Sequence, residues 1–117
     1  MRDDRFFLRM IIDHCEDIEA CAEAFGNDEE EFLSNKIFQA SCAFHVSQIG
    51  ENVKMLSSEL INDHSDIQWK EIAGLRNIIV HDYGKVRIES LWITVTKWVP
   101  ELKESCKRIL ARIQSEQ

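Results

Sequence analysis

The chain has 117 residues, 13.7 kDa, 44% hydrophobic and 30% charged residues, with only four glycines and one proline. That length suits one domain with a hydrophobic core, expected here over residues 1–117, and the composition excludes collagen, disorder and a turn-rich sandwich. The net charge of −7 is uneven: residues 1–60 carry 5 basic against 13 acidic side chains and residues 61–117 carry 9 against 8, so any polyanion site belongs in the second half.

No run of 18 uncharged apolar residues exists, which argues against a membrane span. The opening Met1-Arg2-Asp3-Asp4-Arg5 lacks the apolar centre and small-residue cleavage site of a signal peptide, and a cytoplasmic protein is expected. Cys15, Cys21, Cys42 and Cys106 form no Cys-x-x-Cys pair and read as small buried hydrophobes. The residues three before each histidine are Ile11, Cys42, Ile61 and Ile78, so the Glu-x-x-His ligand pattern is missing too. Neither a metal site nor a cofactor is expected.

In chain order, Phe7, Ile11, His14, Ile18, Cys21 and Phe25 recur in steps of four and three, a helix stripe. Asp3 or Asp4 can cap its start, and Gly26 can end it in the left-handed conformation. After the acidic turn 28–32, Ser34 or Asn35 can cap a second helix with the stripe Phe38, Cys42, His45, Ile49, Val53, Leu56 and Leu60. The polar stretch 62–66 breaks it. A third helix is expected from about Gln68 to His81, with Gly84 as its stop. The last stripe is Ile88, Trp92, Val95, Val99, Leu102, Cys106, Ile109 and Ile113, and it keeps its register through Pro100.

An interior proline costs about 3 kcal/mol, so one kinked helix or two nearly collinear ones are expected there. Gly50 and Gly74 fall inside helical patterns and suggest close helix–helix approach. The expected fold is all-α, an up-and-down bundle of four main helices. Its inward residues should be Phe7, Ile11, Ile18, Phe38, Ile49, Val53, Leu75, Ile79, Trp92, Val95 and Leu102. His14 and His45 read as core or interface histidines, and Trp69, Trp92 and Trp98 as packing anchors.

Chemistry concentrates at the end of the third helix. Asn77 and His81 are four apart and share a face. Arg76 lies about 140° around the helix from His81 but is long enough to reach a common anion. An arginine to neutralise a phosphate and an imidazole to move a proton near neutral pH suit a phosphodiester. Tyr83, the only tyrosine, follows two residues later beside Gly84.

The Arg76-x4-His81-x-Tyr83 arrangement, with Asn77 directly after Arg76, resembles the signature of HEPN-domain proteins, most closely the HepT-like toxins. Met1-Arg2-Asp3-Asp4-Arg5, Ile49-Gly50-Glu51, Trp69 to Leu75 and Pro100-Glu101-Leu102-Lys103 match that family in order, so the resemblance spans essentially the whole chain. His45-Val46-Ser47-Gln48 is more polar than the family's usual run. The resemblance implies a metal-independent endoribonuclease toxin that promotes attack of a ribose 2′-OH on the adjacent phosphate. Arg76 would stabilise the phosphorane charge, His81 would act as general base or acid, and Asn77 would position.

It also implies a homodimer whose two motifs share one cleft, which supplies a second imidazole to a reaction that needs both a base and an acid. Lys70, Lys85 and Arg87 are expected near the edges of that cleft as RNA contacts. The implied partner is a cognate minimal nucleotidyltransferase antitoxin that attaches AMP to Tyr83. The competing reading is a non-catalytic helical binding subunit that dimerises and docks beside a nucleotidyltransferase; it would tolerate loss of Arg76 and His81.

Overall fold

The computed structural model describes residues 3–116 and is all-α; no strand occurs among them. Helix α1 (Asp4–Ala24) begins at Asp3, whose carboxylate accepts from the Arg5 N–H at 2.9 Å. It ends as the glycine predicted. Gly26 has φ 97° and Asn27 φ 54°, Gly26 N–H donates to the Glu23 carbonyl, and Asn27 N–H donates to that of Ala22. Those two bonds satisfy carbonyls that the helix end would otherwise leave open.

A short α2 (Glu29–Ser34) carries three glutamates in its first turn, where they complement the helix dipole. Asn35 then caps α3 (Lys36–Val53): its side-chain oxygen accepts from the N–H groups of Ile37 and Phe38, both at 3.0 Å.

The expected second helix does not run on to Leu60. It stops at Val53, and a separate α4 (Ser58–Asp63) starts at Ser57, whose hydroxyl accepts from Leu60 N–H. The Asp4 carboxylate receives Ser57 N–H at 2.8 Å and Ser57 Oγ–H at 2.6 Å, fastening this second start to the first residue of α1. Leu56 and Leu60 are both buried, so the apolar stripe continues across a break in the backbone. Helix α5 (Trp69–Asp82) is anchored by Trp69, which is buried and donates its indole N–H to the His64 carbonyl at 2.9 Å. Gly84 is not left-handed; α5 instead tightens into a 3₁₀ turn, Tyr83–Lys85.

The last stripe forms α6 (Ile88–Ile93), a π-wound turn (Thr94–Trp98) and α7 (Val99–Ser115), with Pro100 in the first turn of α7. The adjustment to proline therefore sits upstream of it. Pro100 has no N–H to give, and the turn ahead of it is widened, Val99 N–H reaching back to the Thr94 carbonyl; upstream of it the buried side chain is Leu91, with the expected Ile88 and Trp92 only half-buried.

Helix α1 packs on both α3 and α7, while α5 packs chiefly on α3. Leu8, Ile11, Cys15 and Ile18 of α1 meet Phe38 and Cys42 of α3 and Cys106 of α7 in the fully buried centre. Burying each large apolar side chain contributes about 1.5–3 kcal/mol. Phe7, Ile11, Ile18, Phe38, Ile49, Val53, Val95 and Leu102 are inward as expected.

Leu75, Ile79 and Trp92 are only half-buried. For Leu75 the reason is a groove of about 450 Å³ between α5 and the π-turn–α7 segment, lined by Ile72, Leu75, Trp98 and Leu102 among others. Trp98 is thus an exposed groove wall and not a packing anchor. Trp92 closes an aromatic cluster, its ring centroid 5.0 Å from Phe32 and 6.2 Å from Phe38.

Candidate active site

The chemistry-bearing stretch occupies the second half of α5 and the turn after it. Its position is set by the closest approach of α5 to α3. At Gly50 a Cβ would stand 2.9 Å from Arg76 Cβ and 3.0 Å from the Ile72 carbonyl oxygen, so only glycine lets the two backbones meet there. Gly74 faces open space instead, with nothing within 4 Å of an added Cβ.

Arg76 leaves this contact with its guanidinium already engaged. Its Nε lies 2.9 Å from Glu51 Oε2, and its Nη1–H donates to Asn77 Oδ1 at 3.1 Å. Glu51 Oε2 is shielded from solvent and accepts no well-aimed hydrogen bond, so the pairing is mainly Coulombic. Glu51 is the partner of Arg76 that residue spacing missed. It lies next to Gly50 in the chain, but nothing in one helix's periodicity reveals what the adjacent helix brings opposite it.

His81 sits exposed in the last turn of α5 and makes no hydrogen bond or ion pair among the described residues. Tyr83 opens the 3₁₀ turn and is also exposed. Because the α-helix stops at Asp82, Arg76 and Tyr83 do not share the neighbouring helix face that a continued α5 would have given them. Lys85 Nζ lies 3.8 Å from Asp82 Oδ1 across this turn, and Arg87 is exposed just ahead of α6. Lys70 is exposed in the first turn of α5, about nine residues of helix rise, roughly 14 Å, before Ile79.

Arg76 and Asn77 are therefore joined, while His81, Tyr83, Lys85 and Arg87 follow on the same exposed end and Lys70 stands apart. The groove between α5 and the π-turn–α7 segment is not lined by Arg76, Asn77, His81 or Tyr83. Ile78 and Val80, exposed by about half, flank the histidine.

Comparison with other proteins identifies the fold's lineage. The profile of the family described as "Ribonuclease HepT-like" matches residues 11–109. The chain belongs to this HepT-like ribonuclease family. It is 33% identical over 112 residues to "Putative RNase TTE0752" of Caldanaerobacter subterraneus subsp. tengcongensis, covering 96% of this chain and 98% of that one. It is 32% identical over 117 residues to "Putative RNase MJ0127" of Methanocaldococcus jannaschii, covering 98% and 93%. With "Probable ribonuclease HepT" of Thermococcus cleftensis it shares 31% identity over 80 residues, 68% of this chain and 73% of that one. No solved structure matches the HepT-like chain.

Two other features of this HepT-like chain bear on chemistry. Cys15, Cys42 and Cys106 are buried free thiols and Cys21 is half-buried. Burial pushes the Cys42 and Cys106 thiols up to about 12, so they are inert as nucleophiles at neutral pH. Between α1 and α3, His14 Nδ1 and His45 Nδ1 stand 3.0 Å apart, with Asp17 Oδ2 4.0 Å from His45 Nδ1. Burial and then the neighbouring His45 hold His14 below the usual imidazole value. The expectation of no metal-ligand grouping, drawn from spacing along single helices, did not foresee this juxtaposition across two of them. No helix among the described residues is both long and apolar enough to cross a membrane.

Proposed function

We propose that this protein is the toxin of a toxin–antitoxin pair, a metal-independent endoribonuclease that cleaves RNA with Arg76 and His81. The observation that carries this reading is the end of α5. There, an arginine held in place from behind by Glu51 and Gly50 and an unpartnered imidazole stand on one exposed helix terminus.

In the proposed reaction a ribose 2′-OH attacks the adjacent phosphorus. The 2′-O–P bond forms, the P–O5′ bond breaks, and the products are a 2′,3′-cyclic phosphate and a 5′-hydroxyl. His81 of one subunit takes the 2′-OH proton and His81 of a second copy gives one to the departing 5′-oxygen. Arg76 stabilises the charge that builds on the phosphorane oxygens. Glu51 occupies its Nε and Asn77 its Nη1, which leaves Nη2 to meet phosphate.

A dimer is part of the reading because apolar Ile78 and Val80 stand open beside the motif. Lys70, Lys85 and Arg87 would edge the shared cleft as phosphate contacts.

Control falls to Tyr83 in this proposal. A cognate nucleotidyltransferase joins AMP to the phenol oxygen, with the O–P bond to the α-phosphorus of ATP forming as pyrophosphate leaves. The added phosphodiester pairs with Arg76 and repels RNA. The exposure of Tyr83 in a short turn makes it reachable by another enzyme.

The test is purified protein with structured RNA in EDTA. His81→Ala and Arg76→Ala should each lower cleavage at least 100-fold while circular dichroism and the light-scattering mass of the dimer stay unchanged. Cleavage by His81→Ala at the native rate refutes the mechanism and favours the non-catalytic binding subunit. Mass spectrometry after co-expression with the partner should find AMP on Tyr83. Modification that persists in Tyr83→Phe places the control site elsewhere.

A further inference from the structure

The pair of histidines between α1 and α3 lies outside the chemistry proposed for α5. His14 and Asp17 are three apart on α1 and so project from one face, and His45 comes across from α3. Each of the three offers one ligand atom, and these atoms all lie within 4.8 Å of one another. Two nitrogens that each stand ~2.0–2.1 Å from one ion are roughly 3 Å apart, and the two Nδ1 atoms stand at 3.0 Å. The Asp17 oxygen is farther, 4.0 Å from His45 Nδ1, but its side chain is more than half exposed and free to turn inward.

Without an ion the two rings share a single hydrogen bond, with one ring protonated on Nδ1 and the other presenting its lone pair there. Asp17 then gains little from facing them. Burial and then His45 disfavour a proton charge on His14, with Asp17 and Asp13 opposing them more weakly, so the ring stands neutral with a lone pair to offer. The Phe44 ring stands edge-on to both imidazoles, with centroids 6.4 Å from His14 and 5.2 Å from His45, and shelters them on one side.

We propose that His14, His45 and Asp17 form a site for one divalent transition-metal ion, of the zinc, cobalt or nickel kind, that staples α1 to α3. Imidazole nitrogen with one carboxylate oxygen suits those ions and leaves positions for water. On binding, the proton shared between the two Nδ1 atoms is released and both lone pairs turn to the metal. The ion's role is structural. His45 lies six residues, or roughly 9 Å of helix rise, before Glu51 on α3, away from the Arg76 guanidinium.

The experiment uses untagged full-length protein, stripped with chelator and dialysed, and titrated with Zn²⁺ or Co²⁺ alone. Calorimetry should report one ion per chain, Zn²⁺ should raise the melting temperature, and Co²⁺ should develop visible d–d absorption. His14→Gln and His45→Gln should each weaken binding at least tenfold and abolish the melting shift. Asp17→Asn, at an exposed position that leaves the fold intact, should weaken Zn²⁺ severalfold. Absence of Zn²⁺ binding below millimolar concentration, or unchanged affinity in His45→Gln or Asp17→Asn, overturns the site. RNA cleavage by native protein in EDTA is read separately, so failure here leaves the α5 proposal standing and the reverse also holds.

Discussion

At the scale of single residues, Gly50 and Arg76 make one unit. The glycine admits α5 to a distance where a methyl group would collide with Arg76 Cβ and the Ile72 carbonyl, and the next residue, Glu51, takes hold of the guanidinium. Gly50→Ala should therefore do two things. Forcing the helices apart in a packed contact costs typically 1–3 kcal/mol, readable as a lower urea midpoint at unchanged slope. It should also swing Arg76 away from Glu51 and reduce RNA cleavage beyond what the stability loss explains. An alanine variant as stable and as active as the native protein would show that α5 can shift freely. Arg76, Asn77, His81 and Tyr83 could be picked out as candidates because their residue types and spacing occur within eight residues of chain. Glu51, and the meeting of His14 with His45, were not, since each depends on which residues of a second helix stand opposite.

Among the elements, α3 shows how much one cap decides. Asn35 receives two backbone N–H groups at 3.0 Å and donates its own amide to Glu31 at 2.9 Å, ending α2 and starting α3 at one residue. Asn35→Ala should lose about 1 kcal/mol, measured by thermal or denaturant unfolding, and Asn35→Asp, which retains the accepting oxygen, should lose less. Equal loss in both variants would shift the weight from the cap to the Glu31 contact. These helix ends were readable in the sequence because capping is local chemistry, as Asp3 and Asn35 show at starts and Gly26 at a stop. The end of α3 was not. Its apolar phase carries on through Leu56 and Leu60, and a break that preserves phase is invisible to periodicity. The π-turn before Pro100 was not legible either, and upstream of it the buried position falls on Leu91, with Ile88 and Trp92 half-buried.

For the molecule as a whole, the all-α architecture follows from stripes that never alternate with period two, and the core they predict is largely the core observed. The misplaced members, Leu75, Ile79 and Trp92, sit on or beside the outer helices. Side chains there face the core on one flank and a groove or solvent on the other, a distinction that hydrophobicity does not encode. The charge division also has a structural counterpart. Lys103 and Lys107 of α7 pair with Glu19 and Glu16 of α1, at 2.6 and 3.7 Å, so part of the second half's positive charge is spent against the acidic first half. Toward the end of α5, Arg76 likewise meets Glu51 of α3, whereas Lys85 meets Asp82 of its own turn and Arg87 makes no ion pair among the described residues.

Helix α5 keeps one fully sheltered side chain, Trp69 at its first residue, whereas α1 keeps seven. Segments with so few buried contacts open on their own well below the free energy of global unfolding. Native-state amide exchange should therefore find the second half of α5 exchanging through local openings, with protection well below that of Leu8 to Ile18. Uniform protection across α1 and α5 would contradict this. The helix that carries Arg76 and His81 is thus far less defended than the α1 it is compared with, and whatever covers it should be visible first as slowed exchange there.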